Sequence, residues 1–461
     1  MFFNLSIFSR FLDINSYITY FTNKQFLMVR FMKKKSGNIA RKKVSLILKD
    51  VIEDFIPFDD AFQKAMKNQK SIKLSNKDKA FIYLLSSSVL RYLTQIDSTI
   101  DSLLKEPIKK LPNNPKMALR IGVAQMFILE TPDHAAVNTS VDIATVKWRS
   151  LVNAVMRNIA REEEKYKKIF NDSPKIPKWL LDRWRKNWPN DYLNFIECIQ
   201  DIHPHIDIAV KNNIPKWQRE LNAELMPNNV LRLRESGLIA DKKGYEEGEW
   251  WVQDYSSQLP VKCLNIKEND EILDLCAAPG GKTAQMISLG ATVHSIDSNK
   301  TRINRFKENM KRLKYNTVIE NVDILTYETE KKWNKILLDV PCSSTGTIRK
   351  NPDILYAKNE KSVSSLVDLQ KKLLEKSWSL LKDNGQLIYC NCSLEKEEGE
   401  TQIIQFLQKH KDCKIDKISS NLIEDIEDSV TNEGWLRVLP NGKKSAKNRD
   451  GFFIASLKKV S

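Results

Sequence analysis

Two cysteines lie fifty positions apart, Cys342 in Asp339-Val-Pro-Cys-Ser-Ser-Thr-Gly346 and Cys392 in Tyr389-Cys-Asn-Cys-Ser393. Each follows a short apolar run that reads as a buried parallel strand. Upstream, Leu273-Asp-Leu-Cys-Ala-Ala-Pro-Gly-Gly-Lys-Thr283 is a glycine turn between a strand and a helix. Sulfur is both a good nucleophile and a good leaving group, so a transient bond to an electron-poor ring carbon is within reach of these thiols. The ordinary thiol pKa of about 8.5 must fall, or a base must help, for much thiolate to exist at neutral pH. Addition to carbon 6 of a pyrimidine makes carbon 5 an enamine that attacks an electrophilic methyl group. Loss of the carbon-5 proton then expels the thiol. Asp339, closing its strand, is suited to act as an acid at the ring.

The residues leave open which thiol attacks. Pro341 fixes the turn before Cys342, and a Pro-Cys pair also carries the nucleophile of DNA cytosine methyltransferases. Cys392 ends the next strand of a doubly wound order, so both sulfurs can flank one base. The remaining cysteines, Cys198, Cys263, Cys390 and Cys413, read as small buried apolar residues. Cys390 is expected on the strand face opposite the site.

The glycine turn, Cys276, Ala277, Ala278, Pro279, Gly280, Gly281 and Lys282, lets backbone approach a ligand at a helix N-terminus. A phosphate loop would need glycine where Cys276 stands, and the G-x-G-x-x-G dinucleotide fingerprint is missing. Asp297, closing the next strand, can accept both ribose hydroxyls of an adenosine, and Asp323, after the third strand, can meet the adenine edge. Each aspartate alone could equally be a cap or turn residue. The set of three strand ends suits an S-adenosylmethionine site better than a nicotinamide site.

These motifs need elements to hold them. A chain of 461 residues exceeds one ordinary core. Residues 1–31 are aromatic and apolar but interrupted by charges, with no uninterrupted membrane span and no ordered signal peptide. A poorly ordered extension is expected over 1–39, with Met32 an equally natural start. Helical periodicity marks 40–168: Phe81, Leu84, Leu85, Val89 and Leu93 form one stripe, Met117, Ile121, Ala124, Phe127 and Ile128 a second, and Val141, Ala144, Trp148, Leu151, Val152 and Val155 a third. Residues 169–255 read as a small α+β module with strands at Ile206–Val210 and Val230–Leu233. Its helix carrying Trp179, Trp184 and Trp188 among basic residues either packs on a neighbour, the plainer reading, or clamps single-stranded nucleic acid. Over 256–461, strands and helices alternate, which predicts a mostly parallel doubly wound α/β sheet. The last two runs, Gly434–Pro440 and Asp450–Ala455, read as a hairpin closing one sheet edge. A formal charge of +16 favours a polyanionic partner. Seven scattered cysteines argue against a disulfide framework and for a reducing compartment, and no zinc-ligand pattern is present.

Asp274–Thr283, Asp339–Asp353, Asn391-Cys-Ser393 with Glu395 and Glu398–Glu400, and Asp450-Gly-Phe-Phe453 together resemble the RNA cytosine-5 methyltransferases of the RsmB/Nop2/Sun family. Asp133–Asn138 and Val152–Arg157 resemble the NusB-like domain of its bacterial RsmB branch. The resemblance implies a Rossmann-like S-adenosylmethionine-dependent domain, Cys392 as nucleophile, and Cys342 in adduct breakdown and product release. It also implies 276–282, Asp297, Asp323 and Asp339 lining the donor and cytosine sites. The implied substrate is 16S ribosomal RNA, free or in an assembling small subunit, modified by a cytoplasmic monomer without metal or membrane contact. A non-catalytic assembly factor of the same fold, and the same chemistry on transfer RNA, are the competing readings. One departure stands out: the family usually has threonine where this chain has Asn391.

Overall fold

The computed structural model describes residues 34–67, 74–234, 239–419, 423–424, 429–440 and 448–460. The extension expected over 1–31 lies outside them. The first helix, Lys34–Ile52, begins inside the segment expected to remain an extension to residue 39. The chain divides into two compact units, the first reaching Lys175 and the second running from Ile176.

The described part of the first unit is helical throughout. Helix Asn113–Phe127 is buried from Pro115 to Met126, on every side, so it forms the centre around which the other helices pack. Its three buried polar residues are paired: Lys116 meets Glu53 at 2.9 Å, Arg120 meets Asp97 through two bonds of 2.7 and 2.8 Å, and Gln125 accepts the Arg41 guanidinium at 2.6 Å. Burial lowers the Arg41 pKa to about 10. The third predicted stripe belongs to two helices rather than one, Asp133–Ile143 and Arg149–Arg161, separated by a tight turn in which Val146 faces solvent. Ala144 and Thr145 are extended between the two helices, so the apolar spacing of the sequence runs on where the helix does not.

The second unit holds two sheets. Strands β1 (Ile206–Val210), β2 (Ala223–Met226), β3 (Val230–Leu233) and β4 (Trp250–Val252) make an antiparallel sheet in the order β2-β3-β1-β4. Its buried ion pair, Arg232 to Asp207 at 2.7 Å, is shared with the Tyr255 backbone N–H. The larger sheet contains β5 (Glu271–Leu275), β6 (Thr292–Asp297), β7 (Ile319–Asn321), β8 (Trp333–Asp339) and β9 (Leu381–Asn391), all parallel, in the order β9-β8-β5-β6-β7. The chain winds one way from β5 to β7, then returns to β8 on the other side of β5. Ligands bind outside the strand ends at such a reversal.

The expected final hairpin forms at the sheet's edge, with a further short strand beside it. Strand β12 (Phe452–Lys459) lies inside the sheet, antiparallel to β9 from Phe453 opposite Asn391 to Lys458 opposite Gln386. Its far side carries both β11 (Leu436–Val438) and β10 (Cys413–Ile415). Eight residues, apolar except for Ser456 and the last two lysines, are long enough to pair on both sides. Phe452 through Leu457 are buried accordingly.

Candidate active site

The glycine turn follows β5 with Cys276 in the left-handed region at φ 60° and Gly280 at φ 100°. A Cβ on Gly280 would stand 2.7–2.8 Å from Met310 and Phe306, so only glycine fits beneath the helix that packs there. The Ala278 N–H donates to Asp297 Oδ2 at 3.1 Å, and the Asn299 N–H to Oδ1 at 2.8 Å. Asp297 is thus buried at the end of β6 and holds the turn. Asp323 is exposed after β7 and caps its own turn, accepting the Leu325 N–H at 3.0 Å. Asp274, within β5, accepts the Thr283 hydroxyl at 2.5 Å, and burial raises its carboxyl to about 7.

At the end of β8, Asp339 is half-buried and pairs with Lys282 at 2.7 Å. Burial works to deprotonate the lysine, but Asp339, through its charge and hydrogen bond, together with Cys390 and Cys392 outweighs it and carries the ammonium above its usual range. Lys282 therefore ties the glycine turn to the fourth parallel strand. Cys390 also reaches Asp339, its thiol 3.6 Å from Oδ1. This corrects the expected opposite-face placement: residues two apart on a strand share a face, so Cys390 sits beneath Cys392. Burial keeps its thiol well above the ordinary range. Cys198, Cys263 and Cys413 are buried as expected, with burial pushing the thiols of Cys198 and Cys413 to about 11 and about 12.

Cys342 and Cys392 meet, their sulfurs 3.4 Å apart and both half-buried. The hydrogen bond to Cys392, followed by burial and the charges of Cys392 and Glu398, holds the Cys342 thiol well above its ordinary pKa. Either sulfur can donate in this contact. Backbone locks the two loops: the Gly346 N–H donates to Cys392 O at 2.9 Å, and the Gly451 N–H to Gly346 O at 2.8 Å. Asn391 is fully buried and bonded at both ends, Oδ1 accepting the Ser393 N–H at 3.0 Å and Nδ2 donating to Glu398 O at 2.8 Å. Behind Gly346, Arg349 bonds Asp254 and Asp450 at 3.2 and 3.1 Å, linking this loop to the start of β12.

Sequence reasoning missed the support behind Cys392. The tryptophan helix, Lys178–Asn187, packs rather than stacks. Trp184 donates to Glu395 Oε1 at 3.2 Å, Arg183 to Oε2 at 2.6 Å, and Trp188 to Leu394 O at 2.9 Å. Glu395 is fully buried, and burial raises its pKa despite Arg183. The interleaving of tryptophan with arginine was the available signal, but its partner lies more than two hundred residues away. A cavity of about 490 Å³ lined by Cys263, Lys335, Asp383, Gln386 and Ser456 opens at the amino ends of the strands, opposite the thiols. The chemistry-bearing residues all gather at the carboxyl ends. Among the described residues no helix is long and apolar enough to cross a membrane.

Fold and site together define a Rossmann-like methyltransferase domain on a chain that also carries a NusB-like helical domain. The model of the 16S rRNA methyltransferase RsmB/F family matches residues 261–458, and that of the NusB family residues 38–161. Ribosomal RNA small subunit methyltransferase B of Cronobacter sakazakii is 31% identical over 407 residues, covering 84% of this chain and 91% of the relative. The protein of the same name from Erwinia tasmaniensis is 30% identical over 412 residues, covering 85% and 92%. Among solved structures, PH0851 superposes with a TM-score of 0.72 at 23% identity over 91% of this chain and 99% of that one. NSun6 from Pyrococcus horikoshii, determined with SFG, gives 0.54 at 21% identity over 62% and 98%. The chain belongs to the RsmB/F family of ribosomal RNA methyltransferases.

Proposed function

We propose that this enzyme methylates carbon 5 of a cytosine in 16S ribosomal RNA, using S-adenosylmethionine and a transient bond from Cys392 to carbon 6. The approach of the two sulfurs to 3.4 Å from adjacent strand ends carries the reading. Two thiols at one strand-end cleft suit a reaction that must form and then break a carbon–sulfur bond. The names of the curated relatives support the ribosomal substrate. The formal charge of +16 suits a polyanion.

The donor residues fit their group: Asp297 lies under a turn whose Gly280 admits no Cβ, and Asp323 stands exposed at the next strand end. S-adenosylmethionine supplies an electrophilic methyl. Cys392 adds to carbon 6 as thiolate, and the ring's electron pair moves to carbon 5, which takes the methyl as its bond to the sulfonium sulfur breaks and leaves a thioether. Asp339, paired with Lys282, contacts the base and relays a proton from that ammonium to the ring nitrogen as negative charge develops there, taking it back when the adduct collapses. Water takes the carbon-5 proton, the electron pair left behind re-forms the 5,6 double bond, and Cys392 departs as thiolate. Cys342, kept as a thiol, offers a proton as the adduct collapses and assists release. Residues 40–168 position structured RNA, with the target base turned out of its stack.

Incubation of the protein with ribosomal RNA and S-adenosylmethionine, followed by denaturing electrophoresis, tests the assignment. Cys392→Ala is expected to abolish both methylation and the covalent RNA complex, whereas Cys342→Ala accumulates the complex. The reverse pattern would give attack to Cys342.

A further inference from the structure

The two thiol loops share one buried carboxylate. Glu398 Oε1 accepts the Ser343 N–H at 2.9 Å and Gln370 Nε2 at 2.8 Å. Oε2 accepts the hydroxyls of Ser343 and Ser393, the latter at 2.5 Å. Ser343 follows Cys342 and Ser393 follows Cys392, so each serine sits directly behind one sulfur-bearing residue. Both serines and Glu398 are fully buried, and the serine hydroxyls are themselves 2.9 Å apart. The Glu398 carbonyl continues the arrangement, accepting Tyr389 Oη at 2.7 Å and Asn391 Nδ2 at 2.8 Å from the strand leading to Cys392. Gln370 extends it on the other side, donating to Pro341 O at 2.9 Å just before Cys342.

All four partners of the carboxylate are neutral donors, which fill its four acceptor positions. Burying a charge in this way is costly unless every lone pair is bonded, and its persistence here has a geometric consequence. Neither loop can shift without breaking a charge-assisted bond to the same group. We infer that Glu398 is the positioning residue that sets the distance between the two sulfurs, holding both loops in register while the adduct forms and collapses. Its importance to turnover rests on the cysteine mechanism proposed above; its control of thiol spacing does not. The negative charge beside Cys342 also favours the protonated form of that thiol.

Phenylarsine oxide reports the spacing without reference to methylation, since its arsenic joins two neighbouring thiols and releases one water. Wild-type protein is expected to yield a single arsenic bridge between the peptides containing Cys342 and Cys392. In Glu398→Ala that bridging slows by about tenfold as the effective concentration of the second thiol falls. Glu398→Gln keeps the shape and two acceptor bonds, so it folds with near-wild-type Tm and falls between the two. In both variants S-adenosylmethionine affinity stays unchanged by calorimetry, while kcat drops by about 10–100-fold. Bridging at the wild-type rate in both variants would overturn the inference, as would a loss confined to donor affinity. A wild-type protein that bridges in a Glu398-dependent way but methylates no cytosine would sink the proposed function and leave this one standing.

Discussion

Replacing Arg183 by methionine would strip the cation from a carboxylate that has no access to water. Glu395 is fully buried three residues beyond Cys392, while the Arg183 side chain is 18% exposed and lies 2.6 Å away. Removing one partner of a buried pair costs about 3–5 kcal/mol, because the other charge stays behind uncompensated. Trp184 and Thr345 still donate to Glu395 Oε1 at 3.2 and 3.3 Å, so the lower figure, about 3 kcal/mol, applies. At about 2 °C per kcal/mol for a unit of this size, the Tm should fall by about 6 °C. The pH dependence has a definite sign. Burial already raises the Glu395 pKa, and loss of Arg183 raises it further. A native state that binds the extra proton loses stability as pH rises, so the deficit of Arg183→Met grows from acid to neutral pH. Arg183→Met with Glu395→Gln removes both charges and should recover to within about 1 kcal/mol of wild type. Urea unfolding of all four proteins in acidic and in mildly alkaline buffer completes the cycle. A cost under about 1 kcal/mol, or a double variant no better than the single one, would refute the reasoning.

Four further outcomes are expected. Asn391→Thr should fold but lose about 1 kcal/mol in urea unfolding, because the shorter hydroxyl cannot keep both bonds that Asn391 makes to Ser393 and Glu398. Gly346→Ala should cut methylation by about tenfold or more, since its Cβ would meet the Gly451 carbonyl and lie 2.8 Å from Cys392 O. Gly281→Ala, whose Cβ finds its nearest neighbour at 3.7 Å, should leave the Tm unchanged. For Asp274, raised by burial from 3.8 to about 7, the native state binds the extra proton across that window and loses stability as pH climbs through it. Chemical denaturation should therefore show Asp274→Asn gaining on wild type between acid and mildly alkaline buffer, by at most about 4 kcal/mol; a gain in the opposite direction would exclude the buried charge as its cause.

Strands β8 and β9 were legible because each finishes in an apolar run closed by a polar residue, Ile336–Asp339 and Leu387–Asn391, and β1 and β3 matched residue for residue. Strand ends then implied the neighbourhood of Cys342, Cys392 and Asp339, since winding order makes β8 and β9 adjacent. The misreadings have particular causes. Cys390 was assigned to the wrong face although a period of two puts it with Cys392. The 141–155 stripe concealed a break because Ala144 and Thr145 turn extended without interrupting the apolar spacing. Strand β10 went unread because it is only three residues long.

From the order of residues alone came the division into a helical part and an α/β part, the glycine turn, the paired thiols and the acidic strand ends. All of these are local patterns, set by periodicity over a few residues and by the few side chains a turn tolerates. Only the folded chain decided which charge lies against which sulfur. Arg183 reaches Glu395 across 212 positions and Ser343 reaches Glu398 across 55. Such bonds are chosen by desolvation: once packing excludes water, a buried carboxylate must take whatever donors the surrounding elements bring to it.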